Sequence, residues 1–73
     1  MDPREAALQV LRDDPEAELH WTVIWDRALK EGFIDPLTQP DARKELLAAL
    51  AEHARAGRIE KTSQGTYRIR GEP

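Results

Sequence analysis

The chain has 73 residues, of which 34% are charged and 5% aromatic, with a formal net charge of −3 and no cysteine. A chain of this length is one domain with a small core, burying about 60% of its unfolded surface. The composition excludes a disulfide framework, a thiolate nucleophile and a cysteine zinc site, and the chain shows neither a signal-peptide core nor an apolar run near the roughly 18 residues of a membrane span.

Asp2-Pro3-Arg4-Glu5 reads as a helix start. Asp2 can cap, Pro3 suits the first helical position, and Glu5 stands where a capping box needs its acid. Ala7, Leu8 and Leu11 form an apolar stripe with Val10 beside it. Asp13-Asp14-Pro15 ends this helix, because Pro15 disfavours α geometry at Asp14, and residues 15–18 form a turn. Leu19-His20-Trp21 is short enough to be an extended segment that pairs with the tail of the chain. A second helix is expected from about Trp21 to Glu31, with Ile24, Ala28 and Leu29 facing the core. Gly32 suits the residue just beyond it, and Phe33 can fold back apolarly.

Residues 33–37 make a connection longer than a tight helix-turn-helix, with room for a short extra helical turn. Thr38 is expected to cap a third helix, with Asp41 three residues on. Leu46, Leu47, Leu50 and Ala54 supply its buried face, His53 sits at the core boundary, and Gly57 stops it. The tail from Arg58 to Arg70 reads as a β-hairpin. Ile59, Tyr67 and Ile69 point inward, while Thr66, Arg68 and Arg70 alternate outward. Ser63-Gln64-Gly65 supplies the turn. Gly71-Glu72-Pro73 is expected to be loose. An isolated hairpin is marginal in water and must lie on the helices before it. The expected fold is therefore mainly α with a small β-hairpin: a winged helix-turn-helix with three helices and a C-terminal wing. It forms a single domain over residues 1–73, with an ordered core of about 3–70.

The segments Ala6-Ala7-Leu8-Gln9-Val10-Leu11, Leu19-His20-Trp21-Thr22-Val23-Ile24, a helix ending at Gly32, and Gly65-Thr66-Tyr67-Arg68-Ile69 occur in that order. Together they resemble a winged helix of the HARE-HTH type, over roughly residues 4–70. That group is similar to the N-terminal domain of the bacterial RNA polymerase delta subunit, and it also occurs attached to restriction enzymes and chromatin proteins. The resemblance implies a link to DNA or to the transcription machinery, and it carries no catalytic residue. It points to a cytoplasmic, prokaryotic module in transcription regulation or DNA modification, with duplex DNA and RNA polymerase or another protein as partners.

Charge is unevenly placed. Residues 1–35 hold nine acids and four bases, a balance of −5, whereas residues 36–73 hold five acids and seven bases, a balance of +2. Only the second half suits an anionic partner, although a pI near 5.3 is low for a nucleic-acid binder. In a DNA reading the third helix enters the major groove and the wing touches backbone. Arg43, Lys44 and Arg55 on the helix, Arg58 at the hairpin root, and Lys61, Gln64, Arg68 and Arg70 on or beside the wing are the candidate contacts. Asp41, Glu45 and Glu52 on a neighbouring line would repel phosphate. The middle of the helix is alanine and the chain has no asparagine, so base reading is weak. The competing reading is a protein-docking or dimerisation module. Trp21 and Trp25, four apart on one helix, would form its surface with Val23 beside them, and the acidic half would meet a basic partner.

His20 and His53 lack the companions of a metal site. His20 is expected to cap the second helix or pack at the strand. The acids at 13, 14, 16 and 18 lack the spacing of a calcium loop. Ser63 has no base nearby, and no acid–base pair occupies an obvious cleft. The sequence therefore points to no enzyme, no cofactor and no metal.

Overall fold

A computed structural model describes residues 1–70, and the expectation for residues 71–73 lies outside the described residues. Helix α1 spans Pro3–Asp13. Pro3, which has no N–H to satisfy, occupies its first position, and the Asp2 carboxylate accepts from the Arg4 N–H at 2.9 Å. Glu5 returns no capping bond among the described residues, so the cap is one-sided. The buried face is Pro3, Ala6, Ala7, Val10 and Leu11, with Leu8 only half-buried at its margin. Two acids close α1, where the helix dipole disfavours them. Each has a partner: Asp13 accepts from Gln9 at 2.8 Å and Asp14 pairs with Arg27 at 3.0 Å.

The short segment before the second helix is a strand, β1, Leu19–His20. It pairs antiparallel with β3, Thr66–Ile69, matching Leu19 to Tyr67 and His20 to Thr66. Strand β2, Ile59–Ser63, lies on the other side of β3, giving the order β1-β3-β2. Helix α2, Trp21–Lys30, begins directly on β1. His20 is its N-cap, with Nδ1 accepting from the Thr22 N–H at 3.3 Å. Its end is a Schellman motif: Gly32, at φ 74°, donates to the Leu29 carbonyl at 3.1 Å, and Phe33 donates to the Ala28 carbonyl at 2.9 Å.

The connection to the third helix differs from the sequence reading. Asp35 organises it. Its carboxylate accepts from the Leu37 N–H, its carbonyl accepts from the N–H groups of Thr38 and Gln39, and its own N–H donates to the Gln39 side chain. The result is a turn and not a helical segment. Thr38 therefore caps nothing; its hydroxyl donates to the Asp35 carbonyl at 3.3 Å. Helix α3 starts four residues later than Thr38 implied, at Ala42, and runs to Arg55. Pro40 is the physical reason, since it bars α geometry at Gln39. Asp41 is the N-cap but makes no side-chain cap bond.

The buried face of α3 is Ala42, Leu46, Ala49, Leu50 and His53. Leu47, expected inside, is 37% exposed, and Ala54 is half-buried. His53, expected at the boundary, is only 2% exposed. The helical repeat explains both shifts: the stripe runs 42-46-49-50-53, and residue 47 falls outside it. Ile34, just beyond the α2 Schellman motif, is also buried in the core. Helix α3 ends in a second Schellman motif. Gly57, at φ 82°, donates to Ala54 at 3.1 Å, and Arg58 donates to the His53 carbonyl at 3.0 Å.

The three helices enclose one apolar core, closed by Leu19, Ile59 and Tyr67 from the inner face of the sheet. The hairpin turn is shorter than expected. Ser63 belongs to β2 and pairs with Thr66, leaving Gln64-Gly65 as the turn, and a bulge between Lys61 and Ser63 absorbs Thr62.

Candidate nucleic-acid interface

Helix α3 turns Lys44, Leu47, Ala48 and Arg55 to solvent, with Ala51 half-buried among them and Arg43 exposed on one flank. Asp41, Glu45 and Glu52 lie along the opposite flank. Glu52 is drawn toward α1, where its carboxylate accepts two hydrogen bonds from the Arg4 guanidinium, at 2.5 and 2.7 Å. This bidentate contact holds the Glu52 carboxyl below its ordinary range, helped by the nearby charge of Arg58. One of the three acids beside the exposed face is thereby neutralised by a residue 48 positions away, a pairing with no signal in sequence.

The wing continues this surface unevenly. Arg58, the residue after the α3 terminal glycine, is exposed, and its guanidinium Nη1 lies 3.3 Å from His53 Nδ1. Arg68 stands opposite Glu60 across the hairpin and is ion-paired with it at 2.8 Å. Lys61 stands opposite Tyr67. Cross-strand partners share a face, so Lys61 lies on the face that carries Tyr67, and Arg68 lies on the reverse. The structure does not bring these two bases together. Arg70 sits at the wing root, its guanidinium 3.6 Å from the place a side chain on Gly57 would occupy. Arg68 and Arg70 share a shallow cleft with Glu16 and Glu60, a surface of mixed charge. Gln64 is exposed at the turn.

Four of the Lys and Arg side chains form ion pairs among the described residues: Arg4, Arg27, Lys30 and Arg68. The remaining seven are Arg12, Arg43, Lys44, Arg55, Arg58, Lys61 and Arg70. Six of those seven fall on α3 and the wing. Uncompensated positive charge is therefore concentrated where the sequence placed it, though on a smaller surface, since Arg68 is held by Glu60.

The aromatic pair of α2 has other employment. The Trp21 backbone N–H donates to the Gly65 carbonyl at 2.8 Å. The rings of Trp21 and His20, 5.8 Å apart, lie over Gly65 so closely that a Cβ there would come within 2.9 Å of His20 and 3.3 Å of Trp21. Trp25 is half-buried against the core. Val23 is 38% exposed but lies on the other flank of α2, two residues from each tryptophan and so facing away from both. The three do not form one surface. His20 and His53 are both engaged in local hydrogen bonds, one as a helix cap and one inside the core.

A family model for the HARE-HTH domain, described as a helix-turn-helix domain of ASXL and restriction endonuclease proteins, matches residues 1–71. Comparison with curated proteins gives no match, and comparison with solved structures gives none.

Proposed function

The chain belongs to the HARE-HTH family of helix-turn-helix domains, and from that premise we propose that it binds duplex DNA through the exposed face of α3 and the wing root, chiefly by phosphate contact. The observation that carries this reading is the placement of unpaired charge: Arg43, Lys44, Arg55, Arg58, Lys61 and Arg70 have no acidic partner among the described residues. Cations left uncompensated on one part of an otherwise acidic domain favour a polyanionic partner there. Lys44 and Arg55 flank the middle of α3, and Arg58 extends the line past its end.

Base reading is weak on this surface. Between Lys44 and Arg55 the outward residues are Leu47, Ala48 and Ala51, none of which offers the amide or guanidinium fork that distinguishes base pairs. The contacts position the domain on the duplex and say little about its sequence. The family is one of helix-turn-helix domains and not of enzymes, so binding is the activity to measure.

Fluorescence anisotropy of a labelled random duplex, titrated at several salt concentrations, tests this. Four phosphate contacts give a log–log salt slope of roughly −3.6, since each contributes about −0.9. Lys44→Glu with Arg55→Glu abolishes binding, and the paired Arg68→Ala changes it little. Absence of binding even at low salt overturns the reading. The domain is then a docking module, to be probed first through the half-buried Trp25.

A further inference from the structure

The contacts of His53 fix its protonation state. Nε2 lies 2.9 Å from the Arg4 backbone carbonyl, and Nδ1 lies 3.3 Å from Arg58 Nη1. A carbonyl only accepts, so Nε2 carries the proton. A guanidinium only donates, so Nδ1 is bare. Both neighbours independently require the same neutral tautomer. The ring is 2% exposed, so water offers little substitute for either partner.

The backbone explains why Arg58 stands there. In a Schellman motif the second residue beyond the helix packs against the third from its end, usually by an apolar contact. At the end of α3 these two residues are Arg58 and His53, and the contact is polar. The charged groups around the ring are Arg4 and Glu52, ion-paired with each other, and Arg58 itself. Protonation of the ring would turn Nδ1 from an acceptor into a donor aimed at a guanidinium and set two cations side by side.

We propose that His53 is a positioning residue for Arg58: in its neutral form it holds the guanidinium at the wing root for contact with a DNA phosphate, and on protonation it releases it. The proposal rests on the DNA reading above. It adds that the number of phosphates engaged depends on pH, through a buried residue that touches no DNA.

The salt slope of duplex binding counts neutralised phosphates, and it is measured at about pH 8 and about pH 5.5, either side of the usual histidine range. The wild-type slope shrinks by about 0.9 at the lower pH, the loss of one contact. Arg58→Ala already shows the smaller slope at the higher pH and does not change further. His53→Gln keeps one donor and one acceptor but cannot titrate, so it holds the larger slope at both. It also separates His53 from His20, whose exposed ring lies beside the wing turn. A wild-type slope that is the same at both pH values, or a His53→Gln protein that loses slope as the wild type does, overturns the proposal. Absence of duplex binding under every condition strikes the DNA reading instead. The pairing is then decided on the free wild-type protein by nitrogen NMR. A proton on Nε2 at high pH, with Arg58 side-chain signals that follow the His53 titration, supports it. A proton on Nδ1, or Arg58 signals indifferent to that titration, overturns it.

Discussion

Helices α2 and α3 end by the same backbone rule and send the chain to opposite fates. Each closes in a Schellman motif on a glycine of positive φ, Gly32 and Gly57. After Gly32 comes Phe33, which packs against the core and is followed by the buried Ile34. After Gly57 comes Arg58, which stays in solvent and meets the helix through the imidazole of His53. The glycine sets where a helix stops; the next residue sets whether the chain turns inward or runs along the surface. An apolar residue there closes the connection between α2 and α3, and a cation there opens the wing.

The largest expected effect separates these two glycines from a third. Gly32→Ala and Gly57→Ala meet no hard steric obstacle, since nothing lies within 4 Å of the first and only the tip of Arg70 approaches the second. Each carries the strain of positive φ alone, about 1–2 kcal/mol. Gly65→Ala, at φ 75°, carries the same strain and also drives His20 out of its place, losing the cap of α2. It costs about 3 kcal/mol, read by chemical denaturation at a common m-value. Equal costs at all three positions would show that the wing turn is not clamped by the two rings.

A smaller effect compares the residues that follow the glycines. Phe33→Ala removes half-buried apolar area and costs about 2 kcal/mol. Arg58→Ala costs about 1 kcal/mol, the net worth of one hydrogen bond. Thermal melts show the gap directly, since each kcal/mol moves the midpoint of a domain this size by about 4–8 °C. A reversal of the two would mean that the α3 end, and not the α2 end, is the one fixed by its closing residue.

The smallest effect concerns the brace beside the α3 end. Arg4 holds the Glu52 carboxyl below its ordinary value of 4.5. A depressed folded-state value means that the pair stabilises above the unfolded carboxylate range and is lost as pH falls through the folded value. Glu52→Gln therefore lowers the melting midpoint slightly at about pH 7 and leaves it unchanged at about pH 3, where the wild-type carboxyl is also neutral. A difference that persists at the lower pH would assign the contact's role to packing.

What was legible in the sequence was what neighbours decide. Asp2-Pro3 opened a helix, Gly32-Phe33 closed one, and the alternation of Tyr67, Arg68 and Ile69 placed a strand. Where two local signals competed, the reading slipped. Thr38 looked like a cap, but Asp35 had already claimed its backbone N–H and its hydroxyl, and Pro40 delayed the helix. Leu47 looked like core because it is a leucine, and Ala49 and His53 took the buried stripe by angular position. The candidate site was legible as a composition and not as an arrangement. The engagement of Glu52 by Arg4, the holding of Arg68 by Glu60 and the seating of Lys61 opposite Tyr67 all depend on partners distant in the chain or across the hairpin.

The strand order has a consequence for how the protein comes into being. Strand β3, the last of the three to be synthesised, is the middle one, and β1 and β2 touch it but not each other. On a ribosome the helices can begin to associate as they emerge, yet neither outer strand has anything to pair with until residues 66–69 arrive. A chain interrupted at the hairpin turn has no sheet at all, and the final few residues of the wing convert two loose segments into a closed domain in one step.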